Sequence, residues 1–133
     1  MQRHVRSALW CAVAVFASAC GSDTPTTPTT TTTSPVTETW TGIVGPGGTA
    51  SRSFDTTQAG TLTVTLMSSD APLGLGVGVP RNVNAGCRLT ISQVDIPGLT
   101  LSIPADAGSY CVQVFDNGDV VKQSAFSVQV VHP

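Results

Sequence analysis

The sequence predicts an all-β sandwich of about eight short antiparallel strands. From about Glu38 to Pro133, apolar and polar residues alternate at period two and no window sustains helical spacing. Turn residues break this pattern into eight short strands in under a hundred residues, which means a sandwich. With 133 residues, of which only 11% are charged, the chain has room for one such domain and not two.

The expected strands are Thr39 to Val44, Ala50 to Asp55, Thr61 to Met67, Leu73 to Val79, Arg88 to Val94, Leu99 to Ile103, Ser109 to Phe115 and Ala125 to Val131. Gly45-Pro46-Gly47-Gly48, Ala59-Gly60, Ser69-Asp70-Ala71-Pro72 and Asn82 to Gly86 separate the first five. Pro97-Gly98, Ala105 to Gly108 and Asn117-Gly118 separate the rest. In the third strand Leu62, Val64 and Leu66 share one face and Thr61, Thr63 and Thr65 the other, the pattern of a sheet with one wet surface. Phe126, Val128 and Val130 are expected inside for the same reason. The fourth strand differs: Leu73, Leu75, Val77 and Val79 alternate with Gly74, Gly76 and Gly78, so one face has no side chains. Interior glycines mark close backbone approach. Either that face is a shallow groove for an extended ligand or partner strand, or the chain's own linker or a loop covers it, or the strand twists sharply.

Ahead of the domain, Arg3, His4 and Arg6 precede the apolar run ALWCAVAVFA. About ten residues are too few for a membrane-spanning helix, which needs about twenty. The run reads as the core of a secretory signal peptide over residues 1 to 19. Ala17-Ser18-Ala19-Cys20-Gly21 resembles the lipobox of bacterial lipoproteins, with alanine at Ala17 where that family prefers leucine. The resemblance implies that Cys20 is lipidated and becomes the first residue of the mature chain. By the sorting rule of that family, the resemblance also implies the outer rather than the inner membrane, because Gly21 and Ser22 stand where an acidic second residue would retain the protein at the inner one. Ordinary leader cleavage, with Cys20 left as a thiol, is the competing reading.

Residues 20 to 37 turn to Thr, Pro and Ser, with Thr29 to Thr33 flanked by Pro25, Pro28 and Pro35. Such a segment lacks the apolar surface to offset its ordering entropy, and it is expected to be a disordered tether reaching on the order of 50 Å. It also suits O-glycosylation. The domain proper is placed at residues 38 to 133. Cys11 leaves with the leader and Cys20 is taken by lipid, so Cys87 and Cys111 remain as one pair. In an exported chain they are expected to form a disulfide that stabilises the fold by about 3 kcal/mol. Two buried thiols, or a metal site shared with His132, are the alternatives. Strict alternation points Tyr110, Val112 and Val114 inward and Cys111 outward, so the bridge is expected to staple the Asn82 to Gly86 loop to the face or edge of the strand carrying Cys111.

From Cys20 onward only Arg52, Arg81, Arg88 and Lys122 are basic, against all eight acids. Scattered cations form no stripe for nucleic acid and no polybasic segment for an anionic bilayer. Catalysis finds little to work with. The mature chain's one histidine, His132, lies beside a terminus expected to fray, and no Gly-x-Ser-x-Gly elbow occurs. The protein is read as a non-enzyme without a cofactor. Asp116-Asn117-Gly118-Asp119 offers oxygens for calcium, but two carboxylates make a weak site and Asn-Gly signals a turn. Asp70, Asp95 and Asp106 are likewise assigned to turns. Trp40 and Phe115 are the two rings available for an exposed ligand platform, and a carbohydrate-binding module is the alternative function; rim packing competes with it.

The phrases Phe54-Asp55, Ala59-Gly60-Thr61-Leu62-Thr63-Val64, Ala107-Gly108-Ser109-Tyr110-Cys111-Val112-Gln113-Val114 and Phe126-Ser127-Val128-Gln129-Val130 together resemble the bacterial pre-peptidase C-terminal domain. The resemblance spans about residues 38 to 133. It implies a compact sandwich of jelly-roll character, a module usually appended to secreted peptidases that aids secretion, localisation or substrate binding. Some relatives bind calcium through carboxylates near the domain start, where this chain has only Glu38 and Asp55. No peptidase accompanies the module here, so it is expected to act alone. The whole sequence thus reads as a lipid-anchored envelope protein that binds or spaces an envelope protein or glycan.

Overall fold

The structure, a computed structural model, describes residues 34–81, 86–95 and 98–133. The leader, Cys20 and most of the Thr/Pro segment lie outside the described residues. Eight strands follow in order: β1 Val36–Val44, β2 Thr49–Thr56, β3 Gly60–Ser69, β4 Leu73–Pro80, β5 Cys87–Asp95, β6 Thr100–Ala105, β7 Gly108–Phe115 and β8 Ser124–His132. All eight expected strands are present, most extended by a residue or two. The largest extension is at β1. Val36 and Thr37, assigned to the tether, pair with His132 and Val131 of β8, because a ladder continues for as long as its partner offers free backbone groups.

The pairing has a simple rule. The first strand pairs with the eighth, the second with the seventh, the third with the sixth and the fourth with the fifth, all antiparallel. The chain is therefore one long ribbon doubled back at the β4–β5 hairpin. Two further ladders, β3 with β8 and β4 with β7, roll that ribbon into two four-stranded sheets, ordered β1-β8-β3-β6 and β2-β7-β4-β5. This is jelly-roll connectivity. At the first corner Pro46 fixes φ, Gly47 takes φ +66°, and Gly48 N–H donates to Gly45 O at 2.9 Å, the arrangement of a type II turn.

The core lies between the sheets. Leu62, Val64, Leu66, Phe126, Val128 and Val130 face it from the first sheet, and Leu73, Leu75, Val77, Val112 and Val114 from the second. Burying a side chain of this size stabilises the fold by roughly 1.5–3 kcal/mol, which is why the period-two pattern alone fixes which face turns inward. Trp40 packs edge-on against Phe126 with ring centroids 5.0 Å apart. Gly42, directly opposite Phe126, leaves room for that ring, since a Cβ there would stand 2.9 Å from Phe126 Cε1.

The glycine-lined face of β4 is not an open groove. Every residue from Leu73 to Gly78 is buried. Phe115 of β7 lies over Gly74 and Leu89 of β5 over Gly76, and the backbone of β5 itself occupies the space a side chain would need at Gly78. A Cβ at Gly78 would stand 2.7 Å from Leu89 Cα and closer still to the Arg88 carbonyl. The cover over Gly74, Gly76 and Gly78 therefore comes from the neighbouring strands. A register shift between Val77 and Gly78 marks where β5 bends over its partner.

The disulfide depends on that bend. In a flat sheet β4 would hold β5 and β7 about 9.5 Å apart, beyond the reach of a disulfide. Here Cys87 at the start of β5 and Cys111 on β7 are bonded, with Cα atoms 5.8 Å apart. Cys111 points outward as the alternation requires, yet it is 1% exposed because β5 covers it. Past the bridge, a Cβ on Gly86 would come within 3.7 Å of Ser51 Oγ on β2, at the far edge of the sheet.

Replacing Gly78 with alanine forces a side chain into backbone, which cannot step aside as a side chain can. Gly78→Ala is expected to cost more than about 3 kcal/mol in urea unfolding. Gly45→Ala, where a Cβ would meet nothing within 4 Å, stays within about 0.5 kcal/mol of the parent. Equal effects at the two positions contradict the close approach of β5.

Candidate functional site

Three places gather polar side chains: the loop after β7, the open edge between β1 and β2, and the corner before β7. In the loop, Asp116 accepts four backbone N–H groups. Oδ2 takes Gly47 N–H at 2.7 Å, and Oδ1 takes those of Gly118, Asp119 and Val120 at 2.7, 3.0 and 3.0 Å. Asp116 N–H in turn donates to Gly48 O at 3.0 Å. One carboxylate thus knots the β1–β2 turn to the β7–β8 loop and seats Val120 in the core. The Gly47 N–H, followed by the other three donors, holds its carboxyl below the usual carboxylate range. With both oxygens engaged by donors, Asp116 serves the loops rather than calcium. Among the described residues no three His, Cys, Asp or Glu side chains group as metal ligands.

At the open edge, the inward positions of β1 and β2 carry Glu38, Trp40, Arg52 and Phe54. Glu38 Oε2 pairs with Arg52 at 3.0 Å, and Oε1 lies 3.4 Å from His132 Nε2. Both Glu38 and Arg52 remain well hydrated, so this pair is worth at most about 1 kcal/mol. Its evident role is to close the gap between the sheets over the Trp40 and Phe54 rings. His132 does not sit at a frayed end: it is 4% exposed, paired in β8, and its ring lies 5.1 Å from that of Phe54. Its nitrogens meet Glu38 Oε1 and, at 3.1 Å, Pro133 O. The terminal strand is held because both sheets close on its last side chain.

At the third place, Tyr110 turns its hydroxyl back onto its own corner. It accepts from Asp106 N–H at 2.9 Å and contacts Asp106 O at 3.2 Å, and Thr56 Oγ1 donates to the same carbonyl at 2.7 Å. Asp55 accepts from Ser109 beside it. Asp70 Oδ2 accepts Ala125 N–H at 3.2 Å. Asp55, Asp70 and Asp116 each brace neighbouring elements, whereas Asp106 braces its corner through its backbone alone.

Trp40 and Phe115 are not brought together. Trp40 faces the core from the first sheet and Phe115 covers Gly74 on the outside of the second, so both rings are largely occupied in packing. An exposed aromatic pair is corrected to two separate packing residues. Sequence reasoning also missed the Glu38, Arg52 and His132 cluster, whose members are up to 94 residues apart and meet only through the β1–β8 ladder and the edge between the sheets. No helix among the described residues is long and apolar enough to cross a membrane.

No family model and no curated protein matches the sequence. Among solved structures, the chain is similar to the Yersinia pseudotuberculosis-derived mitogen, with a TM-score of 0.55 and 19% identity over 74% of this chain and 87% of that one. At that identity the likeness is one of β-sandwich fold.

The depressed Asp116 pKa fixes the sign of its pH dependence. Its contribution is fully present above the unfolded-state value near 4 and is lost as pH falls through the lower folded-state value. Asp116→Asn is therefore expected to lower the urea midpoint at pH 7, with the gap to the parent closing as pH falls from about 4 towards 2. A gap that stays constant over that range contradicts the carboxylate's role.

Proposed function

We propose that the protein is a non-catalytic, lipid-anchored protein of the bacterial cell envelope that presents a β-sandwich on a Thr/Pro-rich tether. One observation carries the reading: Cys87 and Cys111 are bonded to each other, which accounts for both cysteines of the folded domain. Structural disulfides belong to oxidising compartments, so the bond supports export. It also leaves Cys20, inside Ala17-Ser18-Ala19-Cys20-Gly21, as the cysteine that follows the apolar leader and has no partner in the domain. The jelly-roll connectivity supports the likeness to pre-peptidase C-terminal domains, modules that assist other envelope or secreted activities.

The chemistry is that of presentation. Acyl chains on Cys20 hold the N-terminus in a bilayer, in the outer rather than the inner membrane by the residues after Cys20, and two or more chains make that attachment durable. The seventeen residues from Cys20 to Val36 reach on the order of 50 Å when extended, and this sets the local concentration of the domain near its target. β1, the strand that follows the tether in sequence, lies at the edge of its sheet.

Detergent-phase partitioning of membranes from cells expressing the full chain tests the anchor. The parent protein is expected in the detergent phase with an acylated N-terminal Cys20, and Cys20→Ala in the aqueous phase. A parent protein that stays aqueous, with an N-terminus at Met1 and no lipid, overturns the reading.

A further inference from the structure

The outer face of the sheet β1-β8-β3-β6 is rich in hydroxyl and amide side chains. Across its middle, Thr39, Gln129, Thr65 and Thr100 stand opposite one another on all four strands. The rows on either side are polar apart from Val131, with Thr41 opposite Ser127 on one side and Thr37, Val131, Thr63 and Ser102 in line on the other. The outward positions from Thr37 to Ile43, Ala125 to Val131, Thr61 to Thr65 and Thr100 to Pro104 include no Asp, Glu, Lys or Arg. The other sheet, by contrast, carries Asp55 outward on β2.

Some of these hydroxyls already bind sideways, Thr63 to Ser102 at 3.1 Å and Thr65 to Thr100 at 3.0 Å. Those of Thr39 and Thr41 have no side-chain partner among the described residues. At one end the rows run into a shallow depression of about 500 Å³ whose lining includes Thr41, Ile43, Ser68, Asp70, Phe126 and Ser127. Ile43 is 61% exposed there, and one Asp70 oxygen is left over from its bond to Ala125.

The chemistry of this face selects its partner. Phosphate-bearing or acidic polymers need cations, and the face has none. Groups that both donate and accept, without charge, match the hydroxyls of a neutral sugar chain, while an apolar side chain beside a carboxylate suits the C–H and O–H sides of one sugar ring. A four-stranded sheet turns by roughly 20–25° per strand, so its rows do not match a flat crystal surface; they fit a chain that can follow the twist. One row spans about 14 Å, room for a short run of sugar rings.

We propose that this face, with the depression at Asp70, binds a neutral polysaccharide chain. It lies on a different surface from Phe115 and does not use Trp40. The proposal names a partner class for the presented domain and rests on that reading only for where the encounter takes place; binding itself does not require the lipid.

Co-sedimentation of the full chain carrying Cys20→Ala with swollen cellulose and with insoluble xylan tests it. The protein is expected to be retained by at least one of the two, and Thr65→Glu or the edge-strand Thr39→Glu to reduce the bound fraction at least tenfold. Val121→Glu, at a position 90% exposed on the loop before β8, is expected to leave binding unchanged. Circular dichroism confirms that each variant keeps its fold, and Thr39→Glu serves if Thr65→Glu does not. No retention on either polymer, or equal retention of the charged variants, overturns the proposal. A dimer in sedimentation velocity that Thr39→Glu dissolves, without retention on either polymer, assigns the face to a contact between copies instead. Because every arm lacks the acylated cysteine, failure here is separate from failure of the anchor.

Discussion

The missing Cβ atoms on one face of β4 are the constraint on which the second sheet depends. A strand of β-branched residues would keep β5 beside β4 in an ordinary plane. With glycine at Gly74, Gly76 and Gly78, Phe115 and Leu89 drop onto the strand and β5 bends across it. That bend brings Cys87 to Cys111 and carries Gly86 towards β2. Gly-rich strands are weak alone, so this one is covered on both sides: by the core on its leucine and valine face, and by neighbouring strands and a covalent bond on the other.

The first sheet is built on different terms. Its inward face carries the largest share of the core and its outward face is a field of hydroxyls, the division that period-two alternation imposes. Asp70 and Asp116 tie loops to strands through backbone N–H groups and Tyr110 braces its own corner, while the middle rows of that face carry no charge. Glu38 and Arg52 close the edge between the sheets, and His132 is buried there because the ribbon's two ends pair with each other. A neutral outer face on one sheet and a covalently stapled outer face on the other give the domain two unlike sides.

Much of this was legible in the sequence because it rests on local pattern. Alternation placed all eight strands, Gly45-Pro46-Gly47-Gly48 and Asn117-Gly118 marked turns, and the outward parity of Cys111 announced a bridge outside the core. What escaped rests on contacts distant in sequence. The glycine face looked bare because its cover comes from Phe115 and Leu89, residues that a strand-by-strand reading assigns to their own faces. Trp40 and Phe115 looked like a pair because rings are scarce, and nothing local tells that their strands belong to opposite sheets. His132 looked frayed because its partner Val36 had been counted with the tether.

Amide hydrogen exchange on the oxidised and the reduced protein tests the role of the glycine strand and its staple most directly. Reduction is predicted to speed exchange in β5 and at the Gly78 end of β4, while β1, β8, β3 and β6 keep their protection. Protection in β5 that survives reduction unchanged would contradict the account, because β5 would then hold its place without the bond.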